Sequence, residues 1–165
     1  MDSPRPRRVA VLAAAFSLAA AACGPSAGGS DPELDFSASQ LEGGTVEAAS
    51  FEGSDTVLWF WAPWCTTCRG EAPDILEVAG EYEGEVEIVG VASRGNVEEM
   101  HDFVDDTGTG SLRHLVDESG DIWSRYEVVN QPAFAFIDDD GSTDVHVGAL
   151  GADGLRQRLA DLTES

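Results

Sequence analysis

The feature that most restricts the fold is a six-residue run, Thr56–Trp61, followed closely by a pair of cysteines. The run reads TVLWFW and combines β-branched and aromatic residues, which is typical of a strand covered on both faces. Cys65 and Cys68 come next, where the pattern changes to that of a helix. The sequence therefore predicts a buried strand that leads directly into a helix with a cysteine pair on its first turn.

Strands and helices alternate along most of the remaining chain. This order favours a parallel core sheet, to which a last hairpin adds an antiparallel edge. The predicted elements are a hairpin within 34–53 that turns at Gly43 and Gly44, a strand over 56–61, a helix over 65–82 interrupted by Pro73, a strand over 85–93, a helix over 96–108, a short strand over 113–117, a short helix within 118–128, a hairpin over 133–148 and a last helix over 153–162. We therefore expect a mixed three-layer α/β domain.

The first 22 residues have the build of a signal peptide. Three arginines precede a 14-residue apolar run from Val9 to Ala22, which is shorter than the roughly 20 residues of a membrane-spanning helix. Residues 23–33 are small and polar and are predicted to form a flexible tether. The sequence therefore predicts export, with a folded domain over 34–165.

Cys23, directly after this leader, resembles the cysteine of the lipobox of bacterial lipoproteins. That resemblance implies lipidation of Cys23 and an anchor on the outer face of the cytoplasmic membrane. A lipobox usually has Leu three residues before the cysteine, where this chain has Ala20. Cleavage by an ordinary signal peptidase after Ala22 is the alternative, and it would leave the protein secreted or periplasmic.

The charge of the chain excludes some partners. Without residues 1–22 it has six arginines, no lysine and 30 acidic residues, a formal net charge of −24. Such a surface repels nucleic acids and anionic lipid headgroups, so neither is expected to bind through charge. The acidic residues are spread along the chain, which favours a role in solubility over an acidic recognition face.

Three kinds of chemistry are open to a cysteine pair with two intervening residues. A disulfide that closes so short a loop restricts the unfolded chain little, so a structural staple is disfavoured. A tetrahedral metal site needs four ligands, and the only other candidates are scattered singly, at His101, His114 and His146. A redox couple needs an activated thiolate and a second thiol nearby, and a helix N-terminus stabilises the thiolate. This favours Cys65 as the attacking thiol and Cys68 as the resolving thiol.

The stretch FWAPWCTTCRGEAP, residues 60–73, resembles the active-site motif W-[AS]-x-W-C-x-x-C of the thioredoxin superfamily. Its continuation as C-R-x-E-x-P resembles the exported TlpA/ResA/DsbE-like branch, in which a hairpin precedes the motif. The resemblance implies a thioredoxin fold, with a mixed central sheet flanked by helices and an N-terminal β-hairpin extension. It also implies an extracytoplasmic thiol:disulfide oxidoreductase that needs no cofactor beyond its own redox-active cysteines.

A second matching segment is QPAFAFID, residues 131–138. Members of this family have a cis-proline before the strand that lies opposite the cysteines, and Pro132 matches it. A cis peptide bond is costly except before proline. The residue before this proline offers backbone hydrogen bonds to the substrate chain in the family, which assigns that role to Gln131. An ordinary trans proline at a strand start is the alternative.

Further residues near the motif carry expectations from the resemblance. Thioredoxins have a buried acid six residues before the first cysteine, where this chain has Trp59. Glu71 instead matches a glutamate that influences cysteine acidity in ResA-like proteins. It lies on the same helix face as Cys68 and could take its proton, or it could be an ordinary solvated acid. Trp64 is expected to cover the thiol of Cys65 and to offer an apolar surface to a partner.

The resemblance leaves the redox direction open, because Thr66 and Thr67 match neither strong oxidants nor reducing thioredoxins. The implied partners are cysteine-containing exported proteins and a membrane electron-transfer partner. Apocytochrome c is one candidate among the substrates. A Sco-like copper-binding module on the same fold is the alternative function, although such modules use C-x₃-C. A thiol peroxidase would need its reactive cysteine in a different motif.

Overall fold

The computed structural model describes residues 34–165. The predicted signal peptide, tether and lipidation site at Cys23 lie outside this range. Residues 34–165 contain seven strands and four α-helices: β1 Ser37–Gln40, β2 Thr45–Glu47, β3 Thr56–Trp61, α1 Thr66–Glu81, β4 Glu87–Ala92, α2 Val97–Thr107, β5 Arg113–Val116, α3 Asp121–Arg125, β6 Ala133–Ile137, β7 Thr143–Val147 and α4 Gly151–Thr163. None of the described helices is both long and apolar enough to cross a membrane.

All seven strands form one sheet in the order β2-β1-β5-β4-β3-β6-β7. Strands β3, β4 and β5 are parallel, and every other pairing is antiparallel. The mixed sheet and its N-terminal hairpin were both predicted from the sequence, and both are confirmed. The hairpin turns through Gly43 and Gly44, whose φ angles of 94° and 91° suit residues without a side chain.

The sheet is covered on both faces. Buried residues of α1, α2 and α4 pack with Trp59 and Trp61 on one face. On the other face, Leu58 and Phe60 pack with α3 and the N-terminal hairpin. Every residue of β3 is therefore buried, as its uninterrupted apolar sequence predicts. The carboxyl end of this central strand leads to Cys65.

Helix α2 has the ends that its sequence predicts. The side chain of Asn96 accepts a hydrogen bond from the backbone N–H of Glu99, whose own side chain accepts one from Asn96 N–H. This reciprocal pair satisfies two N–H groups that a helix start otherwise leaves without partners. Gly108 ends the helix in the left-handed conformation, with φ at 70°.

Two predicted helix descriptions were wrong in detail. Helix α1 runs without interruption through Pro73, an exposed residue whose missing N–H removes one hydrogen bond from the helix without ending it. Helix α4 begins at Gly151 rather than Asp153. The N–H groups of Leu150 and Gly151 both donate to Glu71 Oε1, which gives the earlier start a hydrogen-bond acceptor.

Candidate active site

The cysteine pair lies at the start of α1. Cys65 is the N-cap residue, and its Sγ accepts a hydrogen bond of 3.0 Å from the backbone N–H of Cys68. The two sulfurs are joined in a disulfide, with an S–S distance of 2.08 Å. Cys65 keeps 5% of its surface exposed, whereas Cys68 is fully buried. The two cysteines therefore differ in access to solvent although they share one turn.

The loop between β3 and Cys65 is held by hydrogen bonds on both sides. Cys65 N–H donates to the carbonyl of Ala62 over 3.0 Å. Arg69 Nη2 donates to the carbonyl of Pro63 over 3.1 Å, and Arg69 Nη1 forms an ion pair of 2.9 Å with Asp106 in α2. These contacts fix the position from which Cys65 faces the surface.

The aromatic residues behind the pair form a structural core. Trp59, at the position of the thioredoxin acid, is fully buried, and its indole nitrogen has no hydrogen-bond partner among the described residues. Trp61 stacks on Phe103 at 4.0 Å between centroids and donates to His114 Nδ1 over 3.3 Å. Burial lowers the pKa of His114, so this imidazole is neutral at pH 7. Trp59 cannot relay protons as a carboxylate would.

Glu71 is buried, so its interpretation as a solvated helix acid was wrong. Its residue exposure is 5%, and Oε1 accepts from Leu150 N–H over 2.7 Å. The other carboxylate oxygen, Oε2, is buried without a hydrogen-bond partner among the described residues. Burial raises the pKa of Glu71, although the hydrogen bonds from Leu150 and Gly151 oppose the shift. A carboxyl group with a raised pKa thus lies one turn after Cys68.

The second predicted segment reaches the same end of the sheet. The Gln131–Pro132 peptide bond is cis. Strand β6 begins directly afterwards, with Ala133 paired to Phe60 of β3, so Pro132 lies beside the carboxyl end of β3. Pro132 is buried, and its carbonyl accepts from Gly148 N–H over 2.8 Å. Gln131 is half-buried at the edge of the site.

Trp64 is the most prominent apolar group beside Cys65. It is 58% exposed, and its indole N–H donates to the carbonyl of Arg94 over 2.8 Å. Val129, near the cis-proline, is 67% exposed. An exposed indole next to a barely accessible cysteine is compatible with the expected contact surface for a partner.

Arg94 belongs to this site and was missed by sequence reasoning. Besides its carbonyl contact with Trp64, its guanidinium donates to Gln131 Oε1 over 3.0 Å and to the carbonyl of Val129 over 2.9 Å. One signal was available in the sequence. Arg94 directly follows a predicted parallel strand, and the carboxyl ends of parallel strands meet at one edge of a sheet.

Groups that could bind metal lie elsewhere in the described part of the chain. The carboxylates of Asp55, Asp138 and Asp139 form a group of three at the opposite end of β3. Neither cysteine belongs to any such group within residues 34–165. His101 lies on the surface 3.8 Å from a Glu42 carboxylate, and His114 is engaged with Trp61. Within residues 34–165, neither Cys65 nor Cys68 therefore shares a candidate metal group with a histidine.

Residues 30–145 match the profile of the AhpC/TSA family. The chain belongs to this family. Among curated relatives, the soluble secreted antigen MPT53 of Mycobacterium tuberculosis is 40% identical over 158 residues, covering 94% of this chain and 90% of the relative. The thiol-disulfide oxidoreductase ResA of Oceanobacillus iheyensis is 32% identical over 135 residues, covering 80% of this chain and 69% of ResA.

Solved structures agree with this assignment. The structure of MTB dsbF has a TM-score of 0.77 and 41% identity, covering 79% of this chain and 97% of dsbF. A secreted Mycobacterium tuberculosis disulfide oxidoreductase homologous to E. coli DsbE has a TM-score of 0.75 and 39% identity, covering 80% and 99% of the two chains. The predicted thioredoxin fold and TlpA/ResA/DsbE-like branch are confirmed, and the chain is a thioredoxin-like thiol-disulfide oxidoreductase.

Proposed function

We propose that this oxidoreductase exchanges disulfides with cysteine-containing exported proteins, with Cys65 as the sulfur that meets the substrate and Cys68 as the resolving sulfur. The observation that carries this proposal is the difference in access within the pair. Cys65 retains some exposure and lies beside the exposed Trp64, whereas Cys68 is enclosed. A substrate sulfur therefore has a path to Cys65 alone.

In the oxidising direction, a substrate thiolate attacks Cys65 Sγ and breaks the Cys65–Cys68 bond. Cys68 leaves as a thiolate, and the substrate is joined to Cys65 in a mixed disulfide. The second substrate thiolate then attacks the substrate sulfur of that bond and releases the thiolate of Cys65. The substrate loses two electrons and gains a disulfide, and the enzyme becomes a dithiol.

In the reducing direction, the thiolate of Cys65 attacks a substrate disulfide and releases one substrate thiolate. Cys68, once deprotonated, attacks Cys65 Sγ, which restores the enzyme disulfide and frees the second substrate thiolate. The position of Cys65 at the N-cap of α1 supports its role, because the helix dipole and the Cys68 N–H stabilise a thiolate there.

Glu71 is proposed to accept the proton of Cys68 before the resolving attack and to return it in the opposite direction. Cys68 is buried, so bulk water is a poor base for it. Glu71 is buried three residues further along the same helix, and its Oε2 has no hydrogen-bond partner within residues 34–165. Its raised pKa brings it closer to that of a thiol, which supports proton exchange between them.

Trp64, Gln131 and Pro132 are proposed to bind the substrate chain. An extended peptide over Cys65 would have the indole of Trp64 on one side and the cis-proline segment on the other. The backbone of Gln131 would form hydrogen bonds with the backbone of this peptide, as when a strand is added to the edge of a sheet. The exposure of Trp64 and the position of Pro132 beside β3 support this arrangement.

The protein is further proposed to work outside the cytoplasm. Residues 1–22 would direct export, Cys23 would carry a lipid, and residues 23–33 would hold the domain off the outer face of the cytoplasmic membrane. The secreted character named for its mycobacterial relatives supports export. A Cys23→Ala variant should lose membrane association in cell fractions, and unchanged association would contradict the anchor.

The direction of exchange follows from the reduction potential of the cysteine pair. A value near about −270 mV, as in thioredoxin, would make the protein a reductase supplied by a membrane electron-transfer partner. A value near about −120 mV, as in DsbA, would make it an oxidase. Equilibration with glutathione buffers, followed by alkylation of the free thiols, measures this potential.

The test of the proposed function is mixed-disulfide trapping on a peptide with one disulfide. Cys68→Ser should accumulate a covalent adduct through Cys65, because the resolving sulfur is missing. Cys65→Ser should form none, and wild type should turn over without accumulation. Equal trapping by the two variants would overturn the assigned roles. Stoichiometric copper(I) binding that requires Cys65, without peptide exchange, would instead indicate the copper-binding module.

A further inference from the structure

Arg94 adopts an unusual backbone conformation at the carboxyl end of β4. Its φ angle is 59°, in the left-handed region that residues other than Gly, Asn and Asp seldom occupy. In this position its carbonyl accepts the indole N–H of Trp64 over 2.8 Å. The backbone of Arg94 thus holds the exposed side chain on one side of Cys65.

The side chain of Arg94 reaches the opposite side of the same site. Two separate guanidinium nitrogens donate to the cis-proline segment, one to Gln131 Oε1 over 3.0 Å and one to the Val129 carbonyl over 2.9 Å. The guanidinium also lies 4.6 Å from the centroid of the Trp123 ring, a cation–π contact that orients it. A single residue therefore contacts both loops that border Cys65.

The residue after Arg94 brings the loop after β4 close to the loop that carries Trp64. A Cβ atom built on Gly95 would lie 2.7 Å from Cγ of Pro63 and 3.0 Å from Glu99 Oε2. Real Cβ atoms essentially never lie within 3.0 Å of another heavy atom, so glycine is the residue that lets these loops approach so closely. The loop after β4 is thus packed against the segment that carries Trp64 and Cys65.

We propose that Arg94 is a positioning residue that holds Trp64 and the Val129–Gln131 segment at a fixed separation for a peptide substrate. This inference rests on the proposed function, in which both loops contact the substrate chain. Binding of a peptide costs less conformational entropy when the two loops are already held in place than when binding itself must order them. Arg94 therefore acts on recognition of the peptide and leaves the sulfur chemistry unchanged.

The chemistry of arginine explains why this residue suits the position. A guanidinium directs several N–H groups in one plane, so it can donate to Gln131 and Val129 together while it stacks on the Trp123 ring. A lysine keeps the charge but has a single nitrogen. Glycine and asparagine tolerate the left-handed backbone, so Arg94→Gly and Arg94→Asn remove the guanidinium while they keep the carbonyl near Trp64.

The experiment compares a ten-residue peptide dithiol with dithiothreitol, a small dithiol that has no chain for the loops to bind. Arg94→Gly and Arg94→Asn should raise KM for the peptide about ten-fold, with kcat within about two-fold of wild type. Their rates with dithiothreitol and their reduction potentials should equal those of wild type. Arg94→Lys should fall between these variants and wild type, because one of the two hydrogen bonds can still form.

The control is Arg113→Ala, which makes the same change in net charge at the opposite end of the sheet, where Arg113 pairs with Glu87. It should leave KM for the peptide unchanged. An unchanged KM in the Arg94 variants, or an equal loss with peptide and dithiothreitol, would overturn the inference while wild-type exchange still supports the proposed function. Absence of exchange in wild type with both the dithiol and the disulfide form of the peptide would overturn both.

Discussion

At each end of the central strand β3, loops that are distant in sequence meet, but the contacts between these loops differ. At the carboxyl end, the loop to Cys65 meets the loop after β4 and the cis-proline segment, and hydrogen bonds from Trp64 and Arg94 join all three. At the amino end, Asp55 meets the turn between β6 and β7 at Asp138 and Asp139.

The side chains that meet at the amino end are all carboxylates. Asp139 N–H donates to Asp55 Oδ1 over 3.1 Å, and this hydrogen bond links the two segments. Burial raises the pKa of Asp55, and the hydrogen bond and charge of Asp138 raise the pKa of Asp139. Contact between loops is therefore not sufficient to form an active site. The carboxyl end differs because complementary groups hold its loops around a reactive sulfur.

The largest change is expected from Glu71→Gln at the carboxyl end. The amide can still accept from Leu150 N–H but cannot take a proton from Cys68. We expect resolution of the mixed disulfide to slow about 10²-fold at pH 7, as on loss of a general base. Quenched-flow measurement of mixed-disulfide decay checks this. The exposed carboxylate of Glu83, beyond the end of α1, offers Glu83→Gln as a control that should match wild type.

The same variant should change how stability depends on pH. Because the pKa of Glu71 is raised above 4.5 in the folded protein, the folded state binds the proton more tightly than the unfolded state. Wild type therefore loses stability as the pH rises from 4.5 through the folded pKa, and Glu71→Gln lacks this loss. Urea unfolding across this range measures it. Parallel pH profiles for the two proteins would contradict a buried ionisable Glu71.

A smaller change is expected from Gly95→Ala, also at the carboxyl end. The added methyl group would meet the Pro63 ring at 2.7 Å, so Pro63 must shift and move Trp64 and Cys65 with it. We expect the second-order rate with a peptide substrate to fall about ten-fold, because small displacements of reacting groups are costly. A wild-type rate would show that the site tolerates movement of this loop.

Gly84→Ala makes the same chemical change at the opposite end of the sheet. A Cβ there has open space around it, but φ is 85°, where alanine is strained. We expect a loss of about 1 kcal/mol in the free energy of unfolding, with no change in exchange rate. Chemical denaturation and the peptide assay together check this. A fall in exchange rate would mean that the two ends are coupled.

The smallest change is expected from Asp139→Asn at the amino end. The pKa of Asp139 is raised above 3.8, first by its hydrogen bond with Asp138 and then by that residue's charge. The contribution of Asp139 to the stability of wild type is therefore lost as the pH rises from 3.8 through the raised pKa. The variant should have a slightly higher Tm at neutral pH, an effect that added salt reduces, and an unchanged exchange rate.

Much of the fold could be predicted because local patterns determine it. The TVLWFW run coincides with β3, because a strand covered on both faces needs apolar residues throughout. Gly43 and Gly44 mark the turn of the first hairpin, and Asn96 caps α2. The positions of Cys65 and Cys68 at a helix start follow from the same kind of local signal.

The contacts that complete the site could not be predicted in this way. Arg94 bonds to residues 30 to 37 positions away, and it does so through a backbone conformation that an arginine seldom adopts. The burial of Glu71 depends on the start of α4, nearly 80 residues later, which no helix pattern in α1 reveals. Loop contacts over such separations depend on the assembled sheet.

The most direct test of the central claim is differential alkylation of the reduced protein. Limiting iodoacetamide, followed by peptide mapping, should modify Cys65 first and leave Cys68 unmodified while the domain remains folded, because only Cys65 retains access. The helix start should also keep Cys65 reactive at a lower pH than an ordinary thiol. Modification of Cys68 first, or of both cysteines at equal rates, would contradict the assignment of Cys65 as the attacking sulfur.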